Sequence, residues 1–412
     1  MQNTGSSLLK AAWQRVQPVF TQIDAQAIEN QRKVLRAFQS EQVAAHDLLG
    51  TTGYGLDDAG RDKLESVWAR VFATEAALVR PQIVSGTHAL RLGLFAALRP
   101  GDHLLFVTGT PYDTLESVIG LRNARGSLRD WGVECTTVPL GEDGQIDLEA
   151  CQAAIRPQTK VVMFQRSRGY SDRRAFSVKE IGDAIDAIRK TARQAVMLVD
   201  NCYGEFVETL EPSEVGADLV IGSLIKNPGG GLATTGGYLV GRQDLIEAAA
   251  DQLYAPGLGR ESGPTHTFLR SFYQGLFLAP HVVAQALKGS VLAAAVFEAA
   301  GLKVSPRWSE PRTDLILSIR FDQPDPLLAF CRAVQASAPI DSFVRPEAAP
   351  MPGYDSPIVM AAGTFVQGGS LELSADAPLR PPYVAYMQGG LTLEHVYLAL
   401  EKVLETIPVD QR

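Results

Sequence analysis

The stretch Asp218-Leu-Val-Ile-Gly-Ser-Leu-Ile-Lys-Asn-Pro-Gly-Gly-Gly, residues 218–231, reads as a buried strand that ends in Ser223, passes Lys226 and breaks on three glycines. A lysine leaving an apolar strand beside a glycine loop is poorly explained by packing. Desolvation there is expected to lower the amine's pKa and make it a nucleophile toward aldehydes. A solvated lysine on a loop is the other reading. Ser223 and the glycine N–H groups suit a phosphate, although the GxxxxGK[ST] loop of nucleotide-binding domains is absent.

Outward from this stretch, short apolar runs recur at 76–80, 103–108, 133–138, 160–165, 195–200 and 236–241, with helical windows at 87–98, 113–120, 146–155 and 177–191. Continuous apolar runs alternating with amphipathic helices predict an α/β fold, a mostly parallel seven-stranded sheet covered on both faces. Upstream, residues 7–47 carry apolar residues at helical spacing and predict a helical arm interrupted at Pro18; residues 60–73 resume a helix. Downstream, a buried helix over roughly 281–300 precedes a strand at 314–321, a helix near 326–337, strands near 358–374 and a last helix near 391–405. This is a smaller α+β unit. The expected division is an arm at 1–50, a large domain at 51–285 and a small domain at 286–412.

Composition agrees. A chain of 412 residues with 46% hydrophobic and 20% charged residues is not a disordered one. Lys plus Arg number 38 and Asp plus Glu 46, and 38 − 46 = −8 argues against nucleic-acid or anionic-membrane partners. The N-terminal stretch has no basic cluster followed by a long apolar run, and the most apolar segments, such as 291–297, fall short of a membrane span. Cys135, Cys151, Cys202 and Cys331 are scattered, so neither a disulfide framework nor a metal site is expected, and the cytoplasm is the expected compartment.

Three more segments carry chemistry. In 195–206 an apolar strand ends in Asp200, at the sheet edge where α/β proteins place ligands; capping the next turn is the alternative. In 84–90 Ser85, Gly86 and Thr87 open a helix, either as a phosphate cradle or as an ordinary cap. In 108–114 Tyr112 follows a strand in a glycine-proline loop, placed to stack on a planar ring or simply to fill the loop. A phosphate cradle, a stacking aromatic, an acid and a reactive lysine are together the set that pyridoxal phosphate (PLP) requires.

The chain resembles the PLP proteins of fold type I, and within them the bacterial aluminium-resistance, or methionine γ-lyase-like, group, also called cystathionine β-lyase-like. The stretches that carry the resemblance are TGYGLDDAGRD (52–62), ALVRPQIVSGTHAL (77–90), GTPYDTL (109–115), FQRSRGYS (164–171), VDNCYGEFVE (199–208), GSLIKNPGGGLATTGGY (222–238) and RPPYVAYMQGGLT (380–392). The resemblance implies that Lys226 bonds the cofactor and takes the substrate Cα proton. Asp200 would pair with the pyridine nitrogen, and Tyr112 would stack on the ring and shuttle a proton to the leaving group. Ser85, Gly86, Thr87 and Ser223 would hold the phosphate, with Gln165 near the ring hydroxyl. Tyr54 and Arg61 would reach the phosphate of a neighbouring subunit in a homodimer or homotetramer. Their spacing differs from that in the related trans-sulfuration enzymes.

Arg166 and Arg168 either bind substrate or form structural salt bridges, and His88 is expected to cap or pack. Arg380, between prolines, suits two parallel hydrogen bonds to an α-carboxylate, or else is a surface arginine. The implied reaction on an amino-acid substrate is α-deprotonation followed by β- or γ-elimination of a sulfur leaving group, giving a keto acid and ammonia. Transamination, racemisation, retro-aldol cleavage and a non-enzymatic PLP-binding role stay open, because one cofactor supports all of them.

Overall fold

The structure, a computed structural model, describes residues 2–351 and 356–406. The chain opens with the helix α1 (Gln2–Ser40), followed by α2 (Ala59–Val71). It then alternates through β1 (Ala76–Arg80), α3 (Gly86–Ala97), β2 (His103–Phe106), α4 (Asp113–Ile119), β3 (Glu134–Thr137), α5 (Leu148–Ala154), β4 (Thr159–Gln165), α6 (Val178–Arg189), β5 (Val196–Asp200), β6 (Leu219–Ser223), β7 (Gly237–Gly241) and α7 (Gln243–Leu253). The seven strands form one sheet in the order β1-β7-β6-β5-β4-β2-β3. Only β7 runs against its neighbours, pairing antiparallel with both β1 and β6. All seven apolar runs expected as strands are strands here, with ends shifted by no more than two residues.

Burial explains why these runs are continuous rather than alternating. Side chains alternate between the two faces of a strand. In β5, Met197 and Val199 join a core with the arm and the long helix described below, whereas Val196 and Leu198 join a second core with α3, α4 and α7. Both faces are therefore apolar, as a sheet covered on both sides requires.

The long helix α8 (Phe268–Ala299) follows, then β8 (Lys303–Ser305), β9 (Leu317–Arg320), α9 (Pro324–Ala336), β10 (Ile358–Ala361), β11 (Ser374–Pro378), β12 (Val384–Gln388) and α10 (Leu393–Thr406). The five strands form an antiparallel sheet in the order β10-β11-β12-β9-β8. α8 is long and apolar enough to cross a membrane by length and composition, yet 83% of its most apolar window is buried inside the fold, packed along α1. It is a core helix.

Several expectations about elements are corrected. α1 continues through Pro18 without a break. Pro18 lies on the exposed side, while Leu9, Ala12, Val16, Phe20 and Ile23 are buried, so packing of the apolar face outweighs the lost hydrogen bond. α8 begins at Phe268 rather than near 281, because Pro280 sits inside a helix whose apolar face already starts at Leu269. α7 was not expected. Neither were the strands β11 and β12, beyond residue 374: Ser-Ala-Asp-Ala-Pro has weak strand propensity and is held as a strand by its two neighbours.

Candidate active site

The alternation that buries the large sheet also aims its last residues. In β4, β5 and β6 the residues Met163, Leu198 and Ile221 face the α3 side. Two residues further along each strand, at its carboxyl end, the same face carries Gln165, Asp200 and Ser223. Gln165 is directly paired with Asp200 in the sheet register. The amino end of α3 meets this row. A Cβ added at Gly86 would lie 3.4 Å from Cys202 Sγ and 3.6 Å from Ser223 Cβ.

These positions fit a phosphate. Ser223 Oγ is buried and has no hydrogen-bond partner. It stands beside a 12-residue helix whose first N–H groups have no intrahelical acceptor and whose end carries partial positive charge. Ser85 is the cap of that helix, accepting the His88 N–H at 3.1 Å, while His88 Nδ1 accepts the Val84 N–H at 3.3 Å. Thr87 Oγ1 lies 2.8 Å from Thr114 Oγ1, which ties the cradle to the loop of Tyr112.

The Tyr112 N–H donates to Gln165 Oε1 at 2.8 Å, and the Gln165 amide donates in turn to the Ser167 carbonyl at 3.1 Å. Gln165 therefore holds the Tyr112 backbone. The Tyr112 ring lies against Gly169, where a Cβ would approach its Cδ2 to 2.9 Å and where φ is +57°; a side chain at 169 would be strained by both.

Asp200 is buried, and its Oδ1 accepts the Cys202 N–H at 3.1 Å. Burial pushes its carboxyl above the usual carboxylate range, against the pull of that N–H and of the Lys226 charge. Lys226 follows the strand end, its Nζ 3.7 Å from the centre of the Tyr203 ring. Burial alone would lower its pKa, as the sequence suggested. Tyr203, Cys202 and Asp200 outweigh burial and raise it, so the amine of the free chain is held as an ammonium. Nucleophilicity from desolvation alone is therefore corrected: the neighbouring acids decide the charge.

The paired arginines of the 164–171 loop are structural in this fold. Arg166 is fully buried, donating to Asn201 Oδ1 and the Gly204 carbonyl, both at 2.8 Å, and pairing with Glu208. Arg168 donates to the Ser305 carbonyl at 2.9 Å. Arg173, not singled out from sequence, braces the loop through the carbonyls of Gln165, Ser167 and Arg174.

Tyr54, Arg61 and Arg380 make no hydrogen bond, ion pair or ring contact with this cluster among the described residues. Tyr54 is 83% exposed. Arg61 is buried, with Nη1 donating to the carbonyls of Gly55 (2.5 Å), Glu261 and Gly263 (both 3.3 Å), while its buried Nη2 has no partner. Arg380 is exposed, and its charge acts on Tyr386.

Sequence reasoning missed three residues near Lys226. Tyr203, under the ammonium, sits at φ +69° inside the quoted 199–208 stretch. Tyr170 sits in the 164–171 stretch, its ring edge-on to Tyr112 with centroids 6.1 Å apart. Asp376, on β11, accepts the Tyr170 hydroxyl at 2.9 Å and feels the Lys226 charge. No local pattern marks Asp376, because only the small sheet brings it to the lysine.

Comparison with known proteins agrees with this geometry. The model of the methionine gamma-lyase family matches residues 5–408. The Bacillus subtilis protein YnbB is 51% identical over 391 residues, covering 94% of this chain and 93% of that one. A crystal structure from Listeria monocytogenes, of a candidate cystathionine beta-lyase involved in aluminum resistance, superposes with a TM-score of 0.96 at 48% identity, covering 98% of this chain and 100% of that one. The carbon-sulfur lyase involved in aluminum resistance from Clostridium novyi NT gives a TM-score of 0.94 at 46% identity, covering 98% and 95%. With a phosphate cradle, a buried acid and a strand-end lysine converging as PLP requires, the chain belongs to the methionine gamma-lyase family, PLP-dependent carbon–sulfur lyases of fold type I.

Proposed function

We propose that this chain eliminates a thiol from Cβ or Cγ of an amino acid, consuming water and releasing a keto acid and ammonia. The observation that carries the reading is the row Gln165, Asp200 and Ser223 on one face of the sheet, with the α3 amino end and Lys226 closing on it. Ser223 Oγ, the Ser85 and Thr87 side chains and the N–H groups at Gly86 hold the phosphate. The Asp200 carboxylate keeps a proton on the ring nitrogen, and burial makes that pairing the acid's best way to stay ionised. When bound, PLP supplies an electron sink for the bonds at the substrate Cα.

Lys226 Nζ would hold the cofactor and would accept the substrate Cα proton. Tyr203 and Asp200 steer that nitrogen toward its protonated form, which favours it as the acceptor. Tyr112 would stack on the ring and deliver a proton to the departing sulfur. Arg380 grips the α-carboxylate, which sets the Cα–H bond for transfer. Gln165 holds the Tyr112 loop in place near the ring hydroxyl. Tyr54, exposed at the end of the arm, reaches the phosphate of a neighbouring copy in a cytoplasmic homodimer or homotetramer, and Arg61, buried in its own chain, braces the Tyr54 loop through the Gly55 carbonyl rather than reaching out itself. The arm at 1–50, the large domain at 51–285 and the small domain at 286–412 divide the labour between assembly, cofactor and substrate.

The test is a panel of cystathionine, cysteine, methionine and homocysteine with keto-acid detection, beside an amino-acceptor assay. Keto acid and thiol should appear together. Strong transamination without thiol release overturns the lyase reading, and a fully loaded monomer in light scattering overturns the shared site.

A further inference from the structure

Two bulky residues in the loop after β5 adopt a backbone conformation that favours glycine: Tyr203 at φ +69° and Phe206 at φ +61°. If the turn at 203 had no other purpose, glycine or asparagine would make it with less strain. Buried polar groups hold the strained loop in place. Arg166 donates to the Gly204 carbonyl and to Asn201 Oδ1, both at 2.8 Å, and packs so closely that a Cβ at Gly204 would lie 2.4 Å from its Nη1. Glu211 accepts the Phe206 N–H at 2.8 Å and the Asn201 amide at 2.9 Å. Asn30, fully buried on α1, donates to the carbonyls of Phe206 (2.9 Å) and Glu208 (3.1 Å). Asn227, the residue after Lys226, donates to the Glu205 carbonyl at 3.0 Å.

This bracing presents the face of the Tyr203 ring to Lys226, with Nζ 3.7 Å from the ring centre. The titratable groups that act on the amine are Asp200, Cys202, Tyr203 and Glu205 from β5 and its loop, and Asp376 from β11. Lys226 makes no ion pair with any of them among the described residues. Burial raises the Tyr203 phenol above its ordinary value, so at neutral pH it carries no charge and offers the amine its π face. An ammonium over such a face is stabilised, and more so away from water. In the lyase reading, on which this inference rests, the lysine leaves the cofactor in each turnover while Asp200 stays with the ring nitrogen. The released amine then needs a seat other than Asp200.

We propose that Tyr203 is a further catalytic residue: its ring face seats the Lys226 ammonium whenever the lysine is off the cofactor, and so times the lysine's return. Arg166, Glu211 and Asn30 are positioning residues that hold the seat, the last of them reaching in from the arm. Return requires the neutral amine. When free PLP loads, the ammonium gives a proton to solvent, the nitrogen lone pair forms the bond to the aldehyde carbon, and the aldehyde oxygen leaves as water.

The experiment strips the full chain of PLP, adds PLP back at a saturating concentration and follows the first-order growth of visible absorbance at neutral pH. Tyr203→Leu and Tyr203→Gly both remove the ring, and glycine takes a positive φ without strain, so the backbone does not put the fold of that variant at risk. Both should load about tenfold faster than wild type, the scale of a desolvated cation–π contact. Tyr203→Phe keeps the ring and should stay within about twofold of wild type. A merely structural role would give the opposite sign, because a disordered site loads more slowly. Borohydride reduction and peptide mapping then locate the pyridoxyl group in each protein.

Ringless variants that load no faster than wild type, or Tyr203→Phe loading as fast as Tyr203→Leu, each overturns the seat. A pyridoxyl group on another lysine overturns the role given to Lys226 in the lyase reading, and the seat with it. A group on Lys226 with unchanged rates overturns the seat alone.

Discussion

The two sheets present different walls to the same lysine. On the large-sheet side, Gln165, Asp200 and Ser223 leave adjacent parallel strands on one face, so their spacing is set by the sheet itself. On the small-sheet side, Asp376 and Gln388 sit on antiparallel neighbours and reach the site through Tyr170, a residue of the other sheet's loop. In the proposed function the first wall carries the chemistry common to any PLP reaction. The second has groups that chemistry does not need, which is where discrimination between substrates can be built without disturbing the cofactor. The face of β6 opposite Ser223 offers a further contrast. There Glu205 is fully buried and accepts the Tyr238 hydroxyl at 2.7 Å.

The contrast breaks most sharply at Lys226. Lys226→Ala should remove the visible absorbance of the lysine-bound cofactor and lower kcat by about 10³-fold or more for every substrate alike, the scale of losing a covalent and general-base group together. Borohydride reduction and peptide mapping should place the pyridoxyl group on this lysine, and a label elsewhere would overturn the assignment.

Asp200→Asn should come next. A neutral amide cannot hold the ring nitrogen protonated, so kcat should fall about 10²-fold or more while some cofactor stays bound. The loss should be the same for one-ammonium and two-ammonium substrates. A loss confined to one class would move Asp200 to the substrate wall and erase the division between the walls.

The smallest expected effect tests the far face of β6. Burial pushes the Glu205 carboxyl up to about 8, against the pull of the Tyr238 hydrogen bond. In the unfolded chain it titrates near the ordinary glutamate value. The folded state therefore holds the extra proton between those values, and stability is fully present at low pH and lost as pH rises through about 8. Glu205→Gln keeps an acceptor for Tyr238 and removes the titration. Its melting temperature should fall less than that of wild type between pH 5 and 8, by about 2–4 °C. Matching pH profiles would mean that Glu205 titrates normally.

The seven strands of the large sheet were legible because each is a contiguous apolar run, and burial on both faces imposes that composition locally. Lys226, Asp200 and Ser223 were legible for the same reason: each marks the point where such a run ends in a polar residue at the ligand edge. The continuation of α1 through Pro18 was not legible, since the packing of its apolar face that outweighs the proline comes from α8, far along the chain. The charge state of Lys226 was misjudged because local desolvation is visible in sequence, whereas the opposing pull of Tyr203 and Asp200 depends on their approach in space.

The sequence by itself determined the cofactor chemistry, because a phosphate cradle, an acid and a lysine are each written at the end of a strand or the start of a helix. Only the tertiary structure decided what faces the lysine from the second sheet. Asp376 lies in a stretch with weak strand propensity and no motif, 150 residues after Lys226; it is held there by Tyr170 and Gln388, which belong to other elements. A pattern repeating every two or four residues records what one element buries. It holds no record of which distant element that face will meet.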